Sequence, residues 1–406
     1  MIKLSIIIVN YNVKYYVEQC LNSIYTNMGE GNILNNQNTE VFVVDNDSKD
    51  HSIKYLQRKF HQREFPKLHL IRNARNIGFG KANNIAARKA KGQYILFLNP
   101  DTLLTEHTLN DVVRFADEHP NFGAIGVKML NSSGKFAKES RRGKPTPWVS
   151  FCKMAGLTSL FPHSRQFGKY YMGYLNHNEV NEIEIVSGAF MMVENTHAKN
   201  YFDETFFMYG EDIDLSYRFL TEGKKNYYVP SPIIHYKGES TQKSSFRYIH
   251  VFYQAMLIFF RKHYKHYTLL FSVPIQLAII IKALMAFVKQ QFTKLSRFLY
   301  PIPQWNNLSM TYYGHNGAKI KDLADAWGLN IKVVDCDETT ISQDILSQKN
   351  QKEANTYVVY DVDNFSLSTV LTNLEANQNY LLGTYHSHSG NLITAEFVYT
   401  AENNRK

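Results

Sequence analysis

The chain is poor in cysteine and tryptophan, and it lacks the short motifs of redox, zinc-ribbon and triphosphate-binding proteins. Its three cysteines, Cys20, Cys152 and Cys336, lie far apart in 406 residues with no C-x-x-C pair. That spacing argues against a disulfide framework and a Cys-rich zinc site, and fits a reducing compartment. No Walker A sequence occurs. Asn76-Ile77-Gly78-Phe79-Gly80 resembles a phosphate-cradling loop only superficially, because its glycines do not follow G-x-G-x-x-G. Internal repeats and low-complexity segments are absent too. With 44% apolar and 20% charged residues, a disordered chain is excluded. The N-terminal apolar run Leu4–Val9 is too short for a signal-peptide core and reads as a first β-strand.

One absence is local. From Thr241 to Tyr300 there is no Asp or Glu, against nine Lys and Arg. This segment accounts for the whole net charge of +9 (45 basic minus 36 acidic residues). Its basic residues sit among apolar runs rather than on a polar, aromatic-studded groove. That disfavours nucleic acid and favours an anionic membrane surface. Within it, Thr268–Val288 is the most apolar stretch of the chain. At about 100° per residue, Ser272, Gln276, Lys282, Lys289, Gln290, Thr293 and Arg297 share an arc of roughly 140° opposite a wide apolar face. A helix lying in the membrane surface fits this best, with a spanning helix and a buried core helix as the competing readings.

Ahead of that segment, short apolar runs alternate with helical patterns. Ser5–Val9, Val41–Val44, Leu68–Ile71 and Tyr94–Leu98 suit buried strands, and Val17–Tyr25, Ser52–Phe60 and Lys81–Ala90 suit helices. The expectation is an α/β fold with a largely parallel sheet and a ligand crevice at the strand carboxyl ends. Each strand runs into a polar cluster: Asn10-Tyr11-Asn12, Asp45-Asn46-Asp47-Ser48, Asn73–Gly80 and Asn99-Pro100-Asp101-Thr102. Such residues also serve as turns and caps. Gly143–Glu182 is irregular, Ile183–Val193 is strand-like and Phe246–Tyr264 is helical. After Pro301 and Pro303 comes a small Rossmann-like α/β unit with strands expected at Ser309–Tyr313, Asn330–Val334, Tyr357–Tyr360 and Tyr380–Thr384.

Three constellations carry chemistry. Asp101 follows the apolar run ending at Leu98; a carboxylate there either caps a helix or holds a hard divalent cation. Gly210-Glu211-Asp212-Ile213-Asp214 places three carboxylates at the start of a helix. Asp214 reads as the i, i+4 partner of Arg218, while Glu211 and Asp212 either cap the helix or face a cleft as a general base. His235 follows the run Val229–Ile234, as a structural residue or as completion of a metal site begun by Asp101. Lys237 and Ser240 are candidate phosphate contacts. His386 and His388, two apart on an expected strand, read as ordinary polar residues.

Seven motifs occur in order: Ser5–Asn12, Val44–Ser48, Asn76–Phe79 with Asn84, Asn99–Asp101, Ser187–Phe190, Phe202-Asp203-Glu204 with Gly210-Glu211-Asp212, and His235-x-x-Gly238-x-Ser240. Over about residues 1–265 the chain resembles the family 2 glycosyltransferases of GT-A fold, in their rhamnosyltransferase-like branch. The resemblance implies an inverting transfer from a dTDP- or UDP-sugar, with rhamnose plausible, to a hydroxyl of a lipid-linked or oligosaccharide acceptor in cell-surface polysaccharide assembly. It implies that Asn10, Asp45, Asn46, Gly78 and Asn84 meet the donor nucleotide. Asp101 and His235 would hold Mg²⁺ or Mn²⁺, with Asn99 and Pro100 standing where the family motif has further residues. Asp212 would be the base, with Glu211 beside it, and Arg141 and Arg142 would face diphosphate or acceptor. The Gln-x-x-Arg-Trp motif of processive synthases is absent, since no tryptophan is preceded by Arg. The expected plan is a GT-A domain at 1–245, a membrane-associated segment at 246–300 and an α/β domain at 301–406. The last would serve partner docking, regulation or homo-oligomerisation. The enzyme would sit on the inner face of the plasma membrane. A nucleotidyltransferase of similar sheet and a non-catalytic membrane scaffold are the alternatives.

Overall fold

The computed structural model describes residues 1–29, 31–61, 66–236, 246–264, 309–315, 317–338 and 356–401. Lys237, Ser240 and the apolar stretch 268–288 lie outside the described residues.

The first part of the chain runs β1 (Leu4–Asn10), α1 (Lys14–Tyr25), β2 (Thr39–Asp45), α2 (Ser52–Phe60), β3 (Lys67–Arg72), α3 (Phe79–Ala87), β4 (Tyr94–Leu98), β5 (Thr102–Leu104), α4 (Thr108–Glu118) and β6 (Phe122–Leu130). It continues with α5 (Pro147–Met154), α6 (Leu157–Leu160), β7 (Asn181–Ile183), β8 (Phe190–Glu194), α7 (Glu211–Thr221), β9 (Lys225–His235) and α8 (Phe246–His263). The strands form one sheet in the order β3-β2-β1-β4-β8-β6-β9-β5, with β7 on β9. The first four are mutually parallel, and β8 is antiparallel to both β4 and β6.

The sheet forms because its central strands are apolar on both faces. Ile6, Ile8, Leu96 and Leu98 pack into the core on one side, while Ile7, Val9, Ile95 and Phe97 enter the core on the other. This period-2 division is what a sheet covered on both faces requires. Each fully buried side chain of this size contributes roughly 1.5–3 kcal/mol. Phe97 packs edge-on against Phe202, ring centroids 4.6 Å apart, so Phe97→Ala would cost about 3–5 kcal/mol.

Two local expectations change. The run 183–193 is two strands, not one: β7 ends at Ile183 and β8 starts at Phe190, because Ser187-Gly188-Ala189 breaks away to meet α7. Thr102 continues into strand β5, so Asp101 is not a helix cap. The i, i+4 pair is present, with Arg218 Nε 3.0 Å from Asp214 Oδ2. Asp214 also accepts from Lys262 and His263 of α8, at 2.8 and 2.7 Å. Burial alone would raise the Asp214 carboxyl, but hydrogen bonds from His263 and Lys262 and the charges of Lys262 and Arg218 bring it down to about 2. It therefore pins α8 to α7.

A second sheet follows: β10 (Ser309–Tyr313), α9 (Gly317–Trp327), β11 (Asn330–Val334), β12 (Thr356–Asp361), α10 (Leu367–Ala376), β13 (Leu381–His386), β14 (Asn391–Thr394) and β15 (Val398–Tyr399). Its order is β11-β10-β12-β13-β14-β15, parallel through β13 and antiparallel beyond. The unit packs on the first sheet, and its Tyr360, Leu371 and Leu382 share one apolar core with Leu21, Leu103 and Val112. Glu106, from the first part of the chain, accepts from Leu367 N, Ser368 N and Ser368 Oγ at 2.5, 3.1 and 2.6 Å. A carboxylate thus caps the N-terminus of α10 across the interface. Lys128 pairs with Glu375 at 2.7 Å, and a Cβ on Gly134, whose φ is +71°, would collide with the Leu374 backbone. One face of this unit is therefore buried against the first sheet of the same chain.

Candidate active site

The parallel strands β1, β2 and β4 end side by side, with Asn10 opposite Asp45 and Leu98 opposite Ile8. Their polar ends therefore line one crevice. Asn10 Nδ2 donates to Asp45 Oδ1 at 2.7 Å and to Ser48 Oγ at 3.0 Å, and Ser48 N donates to Asp45 Oδ2 at 3.2 Å. Asn10 and Asp45 are both buried, and Asn10 Oδ1 has no hydrogen-bond partner. Asn12 and Asp47 take left-handed backbone, φ 59° and 69°, which Asn and Asp tolerate.

Two of the residues expected to meet the donor also tie neighbouring loops together. Asn46 donates to Asn76 Oδ1 and Gly78 O, and accepts from Asn73 Nδ2 and Ile77 N. Asn84 donates to Phe202 O and Glu204 Oε1, and accepts from the amides of Tyr201 and Phe202. An amide side chain offers two donors and two acceptor positions. Both residues have all four engaged within the protein, so each clamps its loops in this structure. Gly78 has φ +89°, and a Cβ there would fall 2.5 Å from Phe207 O. Only glycine permits this approach, which places the loop after β3 against the one leading into α7.

Asp101 and His235 do come together. Pairing of β5 with β9 sets Thr102 opposite His235, and Tyr236 N donates to Asp101 O at 3.0 Å. The side chains meet with His235 Nε2 3.5 Å from Asp101 Oδ1 and 3.3 Å from Asn99 Nδ2. Both are about nine-tenths buried, and His235 Nδ1 has no hydrogen-bond partner. No group of three or more His, Cys, Asp or Glu suited to a metal occurs among the described residues. One carboxylate and one imidazole fit a cation that keeps most of its shell as water and ligand phosphates, as Mg²⁺ commonly does.

The third element is the N-terminus of α7. Gly210 turns the chain with φ +82° against the Phe206 ring, and Glu211 and Asp212 follow. Asp212 Oδ2 accepts from Arg142 Nη2 at 2.5 Å and from Gly188 N at 3.1 Å, while Oδ1 accepts from Ile213 N at 2.8 Å. Arg142 also donates to Val186 O at 3.0 Å. Glu211 is buried, its Oε2 has no hydrogen-bond partner, and burial followed by the Asp212 charge pushes its carboxyl well above the usual range. The two neighbouring carboxylates thus differ: one is ion-paired and the other favours its neutral form.

Arg141 departs from expectation. It donates to Leu175 O at 2.7 Å, and its guanidinium lies 4.9 Å from the Phe136 ring centre and 5.5 Å from that of Tyr228. At 3% exposure it belongs to the core. Adjacent residues in extended backbone point opposite ways, and only Arg142 points at α7.

Sequence reasoning also missed a buried network behind the site. Gln19 on α1 donates to Tyr236 Oη at 3.3 Å and accepts from Thr384 Oγ1 at 2.6 Å, with His386 Nε2 3.2 Å away. Tyr236 follows His235, so the second sheet reaches to within one residue of the Asp101–His235 pair. His386 and His388 converge on Asp363, at 3.5 and 2.8 Å. Burial would raise Asp363, but the two imidazoles hold it well below the usual carboxylate range. The one available signal was the His386 and His388 spacing. Cys20 lies 3.6 Å from Thr102 Oγ1, and burial pushes its thiol up to about 12, which leaves it an inert packing residue.

Residues 5–202 match the sequence model of glycosyl transferase family 2. The chain is 27% identical over 162 residues to the poly(ribitol-phosphate) beta-N-acetylglucosaminyltransferase TarS of Staphylococcus aureus, covering 40% of this chain and only 27% of that protein. It is 22% identical over 270 residues to the N-acetylglucosaminyl-diphospho-decaprenol L-rhamnosyltransferase of Mycobacterium tuberculosis, covering 63% and 83% of the two. Among solved structures, the mannosyltransferase PcManGT from Pyrobaculum calidifontis aligns with a TM-score of 0.44 at 18% identity, over 74% of this chain and 81% of that one. The sheet with its crevice at the strand carboxyl ends is an α/β nucleotide-sugar transferase fold of GT-A type. Residues 5–202, just under half of the chain, thus form a region of glycosyl transferase family 2 type.

Proposed function

We propose that the protein is an inverting, non-processive glycosyltransferase. It moves one sugar from a dTDP- or UDP-sugar to a hydroxyl of a lipid-linked or oligosaccharide acceptor in cell-surface polysaccharide assembly. The observation that carries this reading is Asp212, held at a helix N-terminus by Arg142 and Gly188 N on one oxygen and by Ile213 N on the other. A carboxylate so fixed is oriented before the acceptor arrives.

In the proposed reaction the acceptor hydroxyl gives its proton to Asp212. Its oxygen forms a bond to the anomeric carbon, and the bond from that carbon to the diphosphate oxygen breaks, its electron pair leaving with the nucleoside diphosphate. Asn10 and Asp45, joined at the ends of β1 and β2, orient the nucleotide. Gly78 keeps the donor-side loop against the one that carries Phe207. Glu211, neutral beside Asp212, keeps a second negative charge out of the site. Asp101 and His235 are the residues that would hold a divalent cation, which when bound supplies positive charge to the leaving diphosphate. Working at the inner face of the plasma membrane fits a lipid-linked acceptor. No helix among the described residues is long and apolar enough to cross a membrane.

The test is Asp212→Asn in the full chain, with sugar transfer and nucleotide affinity measured separately. Loss of transfer by about 10²–10⁴-fold, with nucleotide binding near normal, is expected for removal of a general base. Wild-type turnover in the variant would refute the assignment. A thermal-shift screen of nucleotide sugars, with and without Mn²⁺ or Mg²⁺, then identifies the donor.

A further inference from the structure

Helices α5 and α6 carry an apolar surface that the reaction does not use. Thr146 Oγ1 caps α5 by accepting from Val149 N at 3.3 Å, with Pro147 in the first turn. Val149, Ser150 and Cys152 are buried on its inner face. Trp148, Phe151 and Met154, three residues apart, share the outer face and are 46%, 50% and 46% exposed. Leu160 and Phe161, at the end of α6, are 71% and 52% exposed. Phe167 joins the two helices, its ring 6.2 Å from Trp148 and 5.6 Å from Phe161. Five of the ten exposed large hydrophobic side chains among the described residues thus fall within 148–161. Singly exposed apolar residues are ordinary, whereas a contiguous aromatic patch marks an interaction surface.

Charge identifies the occupant. From Gly143 to Asn178 there are four Lys and Arg (Lys144, Lys153, Arg165 and Lys169) and no Asp or Glu. Lys153 lies beside the patch with its Nζ 3.9 Å from the Tyr171 ring centre, and exposed Arg165 lies over Tyr174 at 5.1 Å. Lys144 and Lys169 at the rim share Glu184, at 3.6 and 3.3 Å, which leaves an excess of positive charge there. Trp, Phe and Leu side chains ringed by Lys and Arg suit the headgroup boundary of an anionic bilayer, where the rings enter the acyl edge and the cations meet lipid phosphates.

We propose that the exposed face of α5 and α6 docks on an anionic membrane surface, independently of the basic segment 241–300. The segment that carries α5 and α6 starts next to Arg142, which holds Asp212, and Gly143 N donates to Tyr170 O at 3.1 Å. Docking here therefore sets the candidate base beside the lipid. That consequence for a lipid-linked acceptor rests on the transferase reading above, while the docking itself does not.

The experiment uses the full chain and sucrose-loaded vesicles of phosphatidylglycerol and phosphatidylcholine in equal parts, against phosphatidylcholine alone. The triple variant Phe151→Glu, Leu160→Glu, Phe161→Glu should bind the anionic vesicles at least tenfold more weakly, with unchanged melting temperature and UDP-induced thermal shift. In vesicle-bound wild type, brominated lipid should quench a fluorescence component that is missing from Trp148→Phe. Wild-type vesicle affinity in the triple variant overturns the proposal, as does identical quenching in Trp148→Phe and wild type. An oligomer that the triple variant dissociates, with no vesicle binding by wild type, also overturns it and makes the patch a contact between copies. Because vesicle binding is read without sugar transfer, failure of the transferase reading would leave this result standing.

Discussion

Arg142 and Asp212, 70 residues apart in the chain, meet with Nη2 2.5 Å from Oδ2. Their side chains are 13% and 14% exposed. Removing one member of a buried pair leaves the other uncompensated, so Arg142→Ala should destabilise the protein by about 3–5 kcal/mol. It should also lower kcat more than it raises KM for the donor, since the base loses its orientation. Arg142→Lys should rescue little, because an ammonium does not reproduce the fork that serves Asp212 and Val186 O together. Urea denaturation and steady-state kinetics on both variants check this. Equal stability of Arg142→Ala and wild type would show that the pair is not held in solution.

The Glu211 carboxyl is raised from an ordinary 4.5 to about 8, by burial first and then by the Asp212 charge. A group whose folded pKa is raised contributes stability that is fully present below the unfolded value and is lost as pH rises through the folded one. Wild-type stability should therefore decline from about pH 4.5 to about pH 8 through this residue. Glu211→Gln should flatten that slope. Melting temperature against pH for the two proteins is the measurement, and parallel curves would contradict it.

Gln19 joins the two sheets through Tyr236, Thr384 and His386. Gln19→Ala leaves buried polar groups unpaired, at about 1–3 kcal/mol. A double-mutant cycle between Gln19→Ala and Thr384→Val should give a coupling of about 0.5–3 kcal/mol. Additive effects would mean that the 2.6 Å contact between them carries no energy.

Asn84 distinguishes a clamp from a nucleotide ligand. Its four bonds to residues 201–204 imply that Asn84→Ala lowers the melting temperature while UDP affinity of the folded protein stays within about twofold, the range expected of a residue that does not touch the ligand. A selective loss of UDP affinity at unchanged stability would restore it to the binding site.

Much of the first sheet was legible in the sequence. Beyond their first residue, runs such as Ser5–Val9 and Tyr94–Leu98 are apolar at every position, and such a run has few ways to bury itself other than as a central strand. The polar ends followed from the same logic, since a strand must end where its side chains can no longer be buried. The pairing of Asp101 with His235 was open from the sequence as one of two readings for each, and the ladder of β5 and β9 brings the two side chains to 3.5 Å.

Tertiary structure decided the rest. Asn46 and Asn84 look like ligand contacts in a motif, and whether an amide meets a nucleotide or a backbone depends on which loop folds over it. Neighbouring Arg141 and Arg142 are indistinguishable by type, and only the path from β6 toward α7 sends one into the core and the other to Asp212. The second sheet could be read as α/β, yet its place against α1 could not, because Gln19, Thr384 and Glu106 are polar residues whose partners lie hundreds of positions away. The sequence by itself determined where strands and polar ends occur, since burial acts on each residue locally. Which polar group satisfies which is a long-range matching problem that only the folded chain resolves.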